Sequence, residues 1–365
     1  MRSIFYPLLV AWRAPRLTWA AVAMLLSLAQ TGAFGQTLNS SRYPKNKVIA
    51  TVSVGSGPSQ LVIGRKNDFV YVADTISGTI SVINTATNRV AFTFAAGSKP
   101  ADLALAADGA TLYVVNATSP GTVSVFVAST GALIRAVAVG TQPSSLAISP
   151  DGTQVYVANS GDGTISIIDT ATNQVLSPPI QIGGYPAAVA FAPNGNYAFV
   201  SNDGGVGYLS LIDVPTQTVL TSKGGEIYQP QYVTISPDGG KVYLTDIANY
   251  LAVIDAVTTR VTKAIWLGTL VSVPGSSNNT YLGRPAITPD GQYLYVPVMR
   301  VPDNDGKTVV MIETDTEKVA GQAITVGALP SAIAVAPNGA RAYVVNQADN
   351  TVSVIDITLQ LIGGE

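Results

Sequence analysis

Gln142-Pro143-Ser144-Ser145-Leu146-Ala147-Ile148-Ser149-Pro150-Asp151-Gly152, then Tyr156-Val157-Ala158-Asn159, then Thr164-Ile165-Ser166-Ile167-Ile168-Asp169, is a phrase that this chain writes seven times. It consists of a short apolar strand, a polar turn and an aromatic residue that opens a second strand. A third strand follows, ending in Ile-Asp in this copy and in the fourth, fifth and seventh copies. Aligned on the first turn residue, the copies begin at Lys66, Asp108, Asp151, Asn194, Asp238, Asp290 and Asn338, with spacings of 42, 43, 43, 44, 52 and 48 residues. A period of roughly 40 to 45 residues is that of propeller blades with four strands each.

Five residues past each anchor stands an aromatic: Tyr71, Tyr113, Tyr156, Phe199, Tyr243, Tyr295 and Tyr343. An invariant offset means the same hairpin each time. Six of the seven turns are Asp-Gly or Asn-Gly, which supply the positive backbone angles a tight hairpin requires; only Lys66-Asn67-Asp68 departs. Side chains alternate between the two faces of a strand, and here both sets are largely apolar, so both faces are expected to be buried. One blade buries about six aliphatic side chains at roughly 2 kcal/mol each. Ordering its ~40 residues costs at least ~1 kcal/mol apiece. A single repeat therefore does not stand alone, and stacked blades are required.

After Thr351-Val352-Ser353-Val354-Ile355-Asp356 too little chain remains for a well-patterned outer strand. The segment Asn46-Lys47-Val48-Ile49-Ala50-Thr51-Val52-Ser53-Val54-Gly55 matches segments that close other blades, such as Ala132-Leu133-Ile134-Arg135-Ala136-Val137-Ala138-Val139-Gly140. The expected fold is an all-β, seven-bladed β-propeller of four-stranded antiparallel blades. The N-terminal strand completes the last blade, which removes two exposed strand edges. The Tyr-Val-x-Asn copies at Tyr113, Tyr156 and Tyr343, with the Pro-Asp-Gly turns, resemble the YVTN-repeat β-propeller family, which includes YncE-type periplasmic proteins. The resemblance runs from about residue 46 to residue 357. It speaks to fold more than to function, because the motif is made of core and turn residues.

Arg2, Arg13 and Arg16 precede an apolar run over residues 17–28, followed by small residues at 29–35. This reads as a secretory signal over residues 1–35, with a short linker at 36–45 and a single propeller domain at 46–365. Twelve apolar-rich residues are too few for a comfortable membrane span, so no span is expected in the mature chain and its location is expected to be periplasmic or secreted. Without the signal the chain has 17 basic and 22 acidic residues, a net charge of −5. Nucleic-acid binding draws on many phosphate-neutralising cations on one surface, and no lysine or arginine run supplies them. Cysteine is absent, so an exported chain must rely on packing and ring closure. Histidine is absent too, which excludes histidine-held haem or copper and Ser-His-Asp triads.

If the shared positions make the fold, function belongs where one copy departs on the face formed by the loops into the inner strands and those between second and third strands. The first residue of the third strand is Thr79, Thr122, Thr164, Tyr208, Tyr250, Thr308 and Thr351, so only blades four and five carry tyrosine. The residue before the leading proline is Gly57, Lys99, Gln142, Tyr185, Gln229 or Leu329, and blade five adds Tyr228 and Tyr232 around its proline. Blade six is longer by about ten residues before its inner strand, a stretch with Trp266, Tyr281 and Arg284, and by five more around Arg300, Asp303, Asp305 and Lys307. Its proline, Pro285, is displaced.

Tyr185, Tyr208, Tyr228, Tyr232, Tyr250, Tyr281, Arg284 and Arg300 are thus the binding candidates, able to stack a planar or sugar ligand or to anchor a protein partner. Packing of the longer loops explains the same tyrosines. Asp303-Asn304-Asp305-Gly306 resembles a fragment of a calcium loop but lacks the distal glutamate. For catalysis, Glu226 and Asp246 are the carboxylates that fall near the blade-five mouth. The leading expectation is a monomeric, non-catalytic exported propeller without cofactor, binding a protein or small molecule at the mouth of blades four to six. The alternatives are a lactonase-like hydrolase and an accessory protein of periplasmic quinone-dependent oxidation.

Overall fold

A computed structural model describes residues 42–204, 208–223, 227–267, 279–301 and 306–361. Residues 44–358 make one compact unit, and it is a seven-bladed β-propeller of four-stranded antiparallel blades with no helix among the described residues. Residues 42–43 and 359–361 fall in a second, small unit, and the short strands Arg42–Pro44 and Leu359–Leu361 pair with each other. The inner strands are Pro58–Ile63, Pro100–Leu105, Pro143–Ile148, Pro186–Phe191, Pro230–Ile235, Ala286–Ile287 and Pro330–Val335. Each touches the inner strand of the next blade, and the last touches the first, so the ring is closed.

Closure comes from the N-terminal strand, Lys47–Ser53, which pairs with Thr351–Asp356 in the register that other outer strands use. The hairpin that joins third and fourth strands in other blades is here assembled from both ends of the chain. Asn46 takes the left-handed conformation (φ 52°) that Asn88 and Asn173 take in the unbroken turns of blades one and three. Across the break, the Lys45 amide donates to the Thr358 carbonyl at 3.0 Å. The Asp356 carboxylate accepts from the Thr358 amide and hydroxyl at 2.9 and 2.7 Å, much as Asp169 does from Thr172.

All seven repeat aromatics are buried between blades. Tyr156 meets Phe191 edge-on, with ring centroids 4.7 Å apart. The Tyr113 hydroxyl donates to Asn173 of blade three at 3.2 Å, and that of Tyr295 to Asn46 in blade seven at 2.8 Å, each bond crossing to the following blade. Burial pushes the Tyr156 and Tyr243 phenols up to about 12, and neither hydroxyl has a hydrogen-bond partner among the described residues. The inner strands are also tied sideways. Ser144 donates to the Pro186 carbonyl, Thr234 to that of Pro285 and Ser331 to that of Ser59, at 2.9, 3.0 and 3.0 Å.

The asparagine of Tyr-Val-x-Asn is a buried hub at the end of the second strand. Asn159 donates to Thr164 and Ser166 on the third strand at 3.0 and 2.9 Å, and Asn116 and Asn346 make the same pair of bonds. The glycine that ends the preceding outer strand presses on this hub: a Cβ on Gly140 would lie 2.6 Å from Asn159 Cγ, and one on Gly327 2.6 Å from Asn346 Cγ. The motif is therefore a device that fixes the loops of one face.

Blade six keeps the plan with broken strands. Its long second strand, Tyr293–Val301, pairs with two short segments, Asn279–Leu282 and Ala286–Ile287, and its third strand pairs with two more, Lys318–Val319 and Ile324–Thr325.

Candidate mouth and ring-centre site

Tyr185, Tyr228, Tyr250 and Trp266 all project into solvent from the end of the blades where the inner strands begin, with 59%, 58%, 40% and 49% of their surfaces exposed. The residues corresponding to Tyr250 in blades one, two, three, six and seven are threonines. Local backbone chemistry explains how the tyrosines come to stand outward. In blades one, two, three, five and seven the residue before the leading proline is left-handed: Gly57, Lys99, Gln142, Gln229 and Leu329 have φ of 62°, 55°, 47°, 49° and 50°. In blade four Gly183 and Gly184 take the left-handed angles instead, at 78° and 59°, so Tyr185 is relieved of that conformation. The Tyr185 amide is held by Asn202 Oδ1 at 2.6 Å, and its carbonyl accepts from the Asp203 amide at 2.8 Å.

Asp246 organises the mouth of blade five. Its carboxylate accepts from the amides of Ala248 and Tyr250 at 2.9 and 2.8 Å. Burial raises its pKa above the ordinary carboxylate value, opposed by the nearby backbone amides of Tyr250, Tyr228 and Ala248. A carboxylate committed to these two backbone donors fixes the turn that carries the exposed Tyr250. Tyr250 lies directly opposite Trp266 in the strand register, so two of the aromatic groups are neighbours.

Arg284 does not join that rim. Gly283 and Arg284 are drawn against the inner strand of blade seven: the Arg284 amide donates to the Ser331 carbonyl at 2.9 Å, and Arg284 pairs in parallel with Ala332. Only glycine fits at 283, where a Cβ would run into the Ser331 carbonyl. The guanidinium then crosses the centre of the ring. Nη1 and Nη2 donate to the two carboxylate oxygens of Asp102, on blade two, at 2.7 and 2.9 Å. Nη1 also reaches Gln60 of blade one at 3.4 Å, and Nη2 reaches Ser145 of blade three at 3.2 Å. Its carbon lies 6.0 Å from the centroid of the half-buried Tyr232 ring. Burial acts against the arginine's charge, but Asp102 outweighs it and the net effect is a raised pKa. Burial likewise raises the Tyr232 phenol, opposed by Arg284.

Sequence comparison missed Asp102, Gln60 and Ser145, although a signal was present. Two residues past the leading proline the blades read Gln60, Asp102, Ser145, Ala188, Tyr232 and Ala332, a position as variable as the rim. Tyr281 is half-buried and faces Met299 in the strand pairing. Tyr208 and Arg300 stand on described strands, but their side chains lie outside the described residues, as do Glu226, Asp303 and Asp305 entirely. No group of three or more carboxylates placed to hold a metal occurs among the described residues.

Residues 115–280 match a family model described as the choice-of-anchor I domain, a stretch just under half of the chain. A comparison with curated proteins finds no match. Among solved structures, the chain is similar to the hydrazine synthase of Kuenenia stuttgartiensis, at 23% identity and a TM-score of 0.72, over 83% of this chain and 96% of that one. It is also similar to the β-propeller domain of Cps50 (Swd1) of Myceliophteria thermophila, at 13% identity and a TM-score of 0.72, over 86% of this chain and all of that one. At these identities the likeness speaks for the propeller fold alone.

Proposed function

We propose that this protein is an exported binding propeller that holds a ligand or partner at the mouth of blades four and five. The observation that carries the reading is the group of four exposed aromatic side chains, Tyr185, Tyr228, Tyr250 and Trp266, on one face. Exposed tyrosine and tryptophan at one place offer large contact area at little entropic cost, which is how binding surfaces are built. The commitment of Asp246 to backbone amides favours binding over carboxylate catalysis. Export is supported by the sequence of residues 1–35 and by the match to a domain described by its choice of anchor. Membership among YVTN-repeat propellers is supported by the Tyr-Val-x-Asn copies and by the hub that their asparagines form.

A photo-crosslinking residue placed at 228, in cells of the native host, tests the reading against the same residue at 197. Tyr197 is 37% exposed and opens the second strand of blade four, at the opposite end of the ring. Adducts at 228 and none at 197 are expected. Equal labelling at both positions, or none at 228, would overturn the assignment of the mouth.

A further inference from the structure

The pit at the ring centre is charge-neutral and supplies both hydrogen-bond donors and acceptors. Asp102 is almost wholly buried, and its carboxylate is saturated: besides Arg284 it accepts from Ser145 Oγ at 2.8 Å and from the amides of Leu103 and Leu146 at 2.9 and 3.1 Å. The guanidinium has a fifth donor, Nε, with no partner among the described residues, and about a fifth of its side chain remains open to solvent. The Tyr232 hydroxyl, which both donates and accepts, has no partner among them either.

From this pit the aromatic groups run outward along blade five. Pro230 pairs with Asp246 at the inner end and Tyr250 with Trp266 at the outer end. Strands lie about 4.8 Å apart, so the row extends roughly 14 Å from inner to outer strand. A row of that length suits an elongated ligand with repeated flat faces. Arg284 and Asp102 neutralise each other at the ring centre, so the electrostatics favour a ligand without net charge.

We propose that the mouth takes an uncharged oligosaccharide, its sugar faces on Tyr228, Tyr250 and Trp266 and the hydroxyls of its leading ring on Arg284 Nε and the Tyr232 hydroxyl. This rests on the binding reading above and names its ligand class. Sugar hydroxyls combine donor and acceptor in one group, as the pit demands, while their C–H faces pack on aromatic rings. A proline-rich peptide also packs on tyrosines, but it brings no hydroxyl to the pit.

The test is calorimetric titration of the full chain with maltohexaose, cellohexaose, laminarihexaose and chitohexaose, beside hexagalacturonate and decaproline. At least one uncharged hexaose is expected to bind saturably. Trp266→Ala and Tyr250→Ala should each weaken it about tenfold or more, equivalent to about 1.4 kcal/mol. Tyr232→Phe, which removes one hydroxyl and keeps the ring, should weaken it about threefold to tenfold with an unchanged melting temperature. Arg284→Lys keeps the charge but loses the planar fork, and should weaken it as well. Binding of a hexaose that ignores the rim and pit variants would overturn the proposal. Binding of decaproline alone would overturn the saccharide class, and binding of hexagalacturonate alone would overturn the uncharged ligand; either leaves the binding mouth standing. Silence from all six probes would also overturn it, and the crosslinking at 228 then decides separately whether the mouth binds anything.

Discussion

Arg284 and Asp102 are 182 residues apart in sequence and share two charge-assisted hydrogen bonds at the ring centre. Removing one partner of a buried pair strands the other charge, so Arg284→Met or Asp102→Leu alone should cost about 3–5 kcal/mol in urea unfolding, and the double variant far less than the sum. Asp74 is the second residue with a distinct expectation. It holds the hub position that asparagine fills in blades two, three, four and seven, with Ser81 and Thr79 donating to Oδ2 at 2.7 and 3.1 Å and Oδ1 buried without a partner among the described residues. Burial raises its pKa, opposed by those hydroxyls. Its contribution to stability is therefore fully present below the ordinary carboxylate pKa of about 3.9 and is lost as pH rises through the raised value. Asp74→Asn should be more stable than the parent by about 1 kcal/mol at pH 7, with the advantage shrinking toward pH 4. The repeat made the hub position legible in sequence, and comparison of the rim loops singled out Tyr185, Tyr228 and Tyr250. It did not reveal that Arg284 leaves the rim, because its partners lie on other blades and no local pattern encodes a contact across the ring.

Strands and turns were the most legible level, since each blade repeats the same offset from turn to aromatic and in six of the seven the apolar run ends at Asp-Gly or Asn-Gly. The glycines that close the outer strands are less obvious, because their cause is a neighbour and not a turn. Gly140 does not have a positive φ, yet a Cβ there would crowd Asn159 and come within 2.5 Å of Asp162. Gly140→Ala should cost about 1–3 kcal/mol through overpacking, as read by denaturant midpoint. Gly152→Ala, in the Asp-Gly turn of the same blade, meets open space, and its penalty comes from its φ of 76° alone. In blade six the displaced Pro285 marks the place where the inner position is split into two short segments. The insertion lengths announced an irregular blade, but which segment pairs with which depends on the squeeze of Gly283 against Ser331, and spacing carries no record of that.

At the scale of the molecule, every comparison between blades assumes one register around the ring, and that register holds only if Lys47–Ser53 is the outer strand of blade seven. The likeness of the N-terminal segment to the segments that close other blades made this closure legible, and the split turn of Asn46, Asp356 and Thr358 supplies its chemistry. The chain has no cysteine, so a single engineered bridge can be read without competition. Ser53 and Thr351 are directly opposed across the closing pair of strands. The Ser53→Cys/Thr351→Cys variant should oxidise to one intramolecular disulfide and, against its own reduced form, gain up to about 5 kcal/mol from a closed loop of roughly 300 residues. A melting temperature that rises on oxidation is the predicted result. A pair that stays reduced under oxidising conditions, or a disulfide that lowers the melting temperature, would contradict the closure.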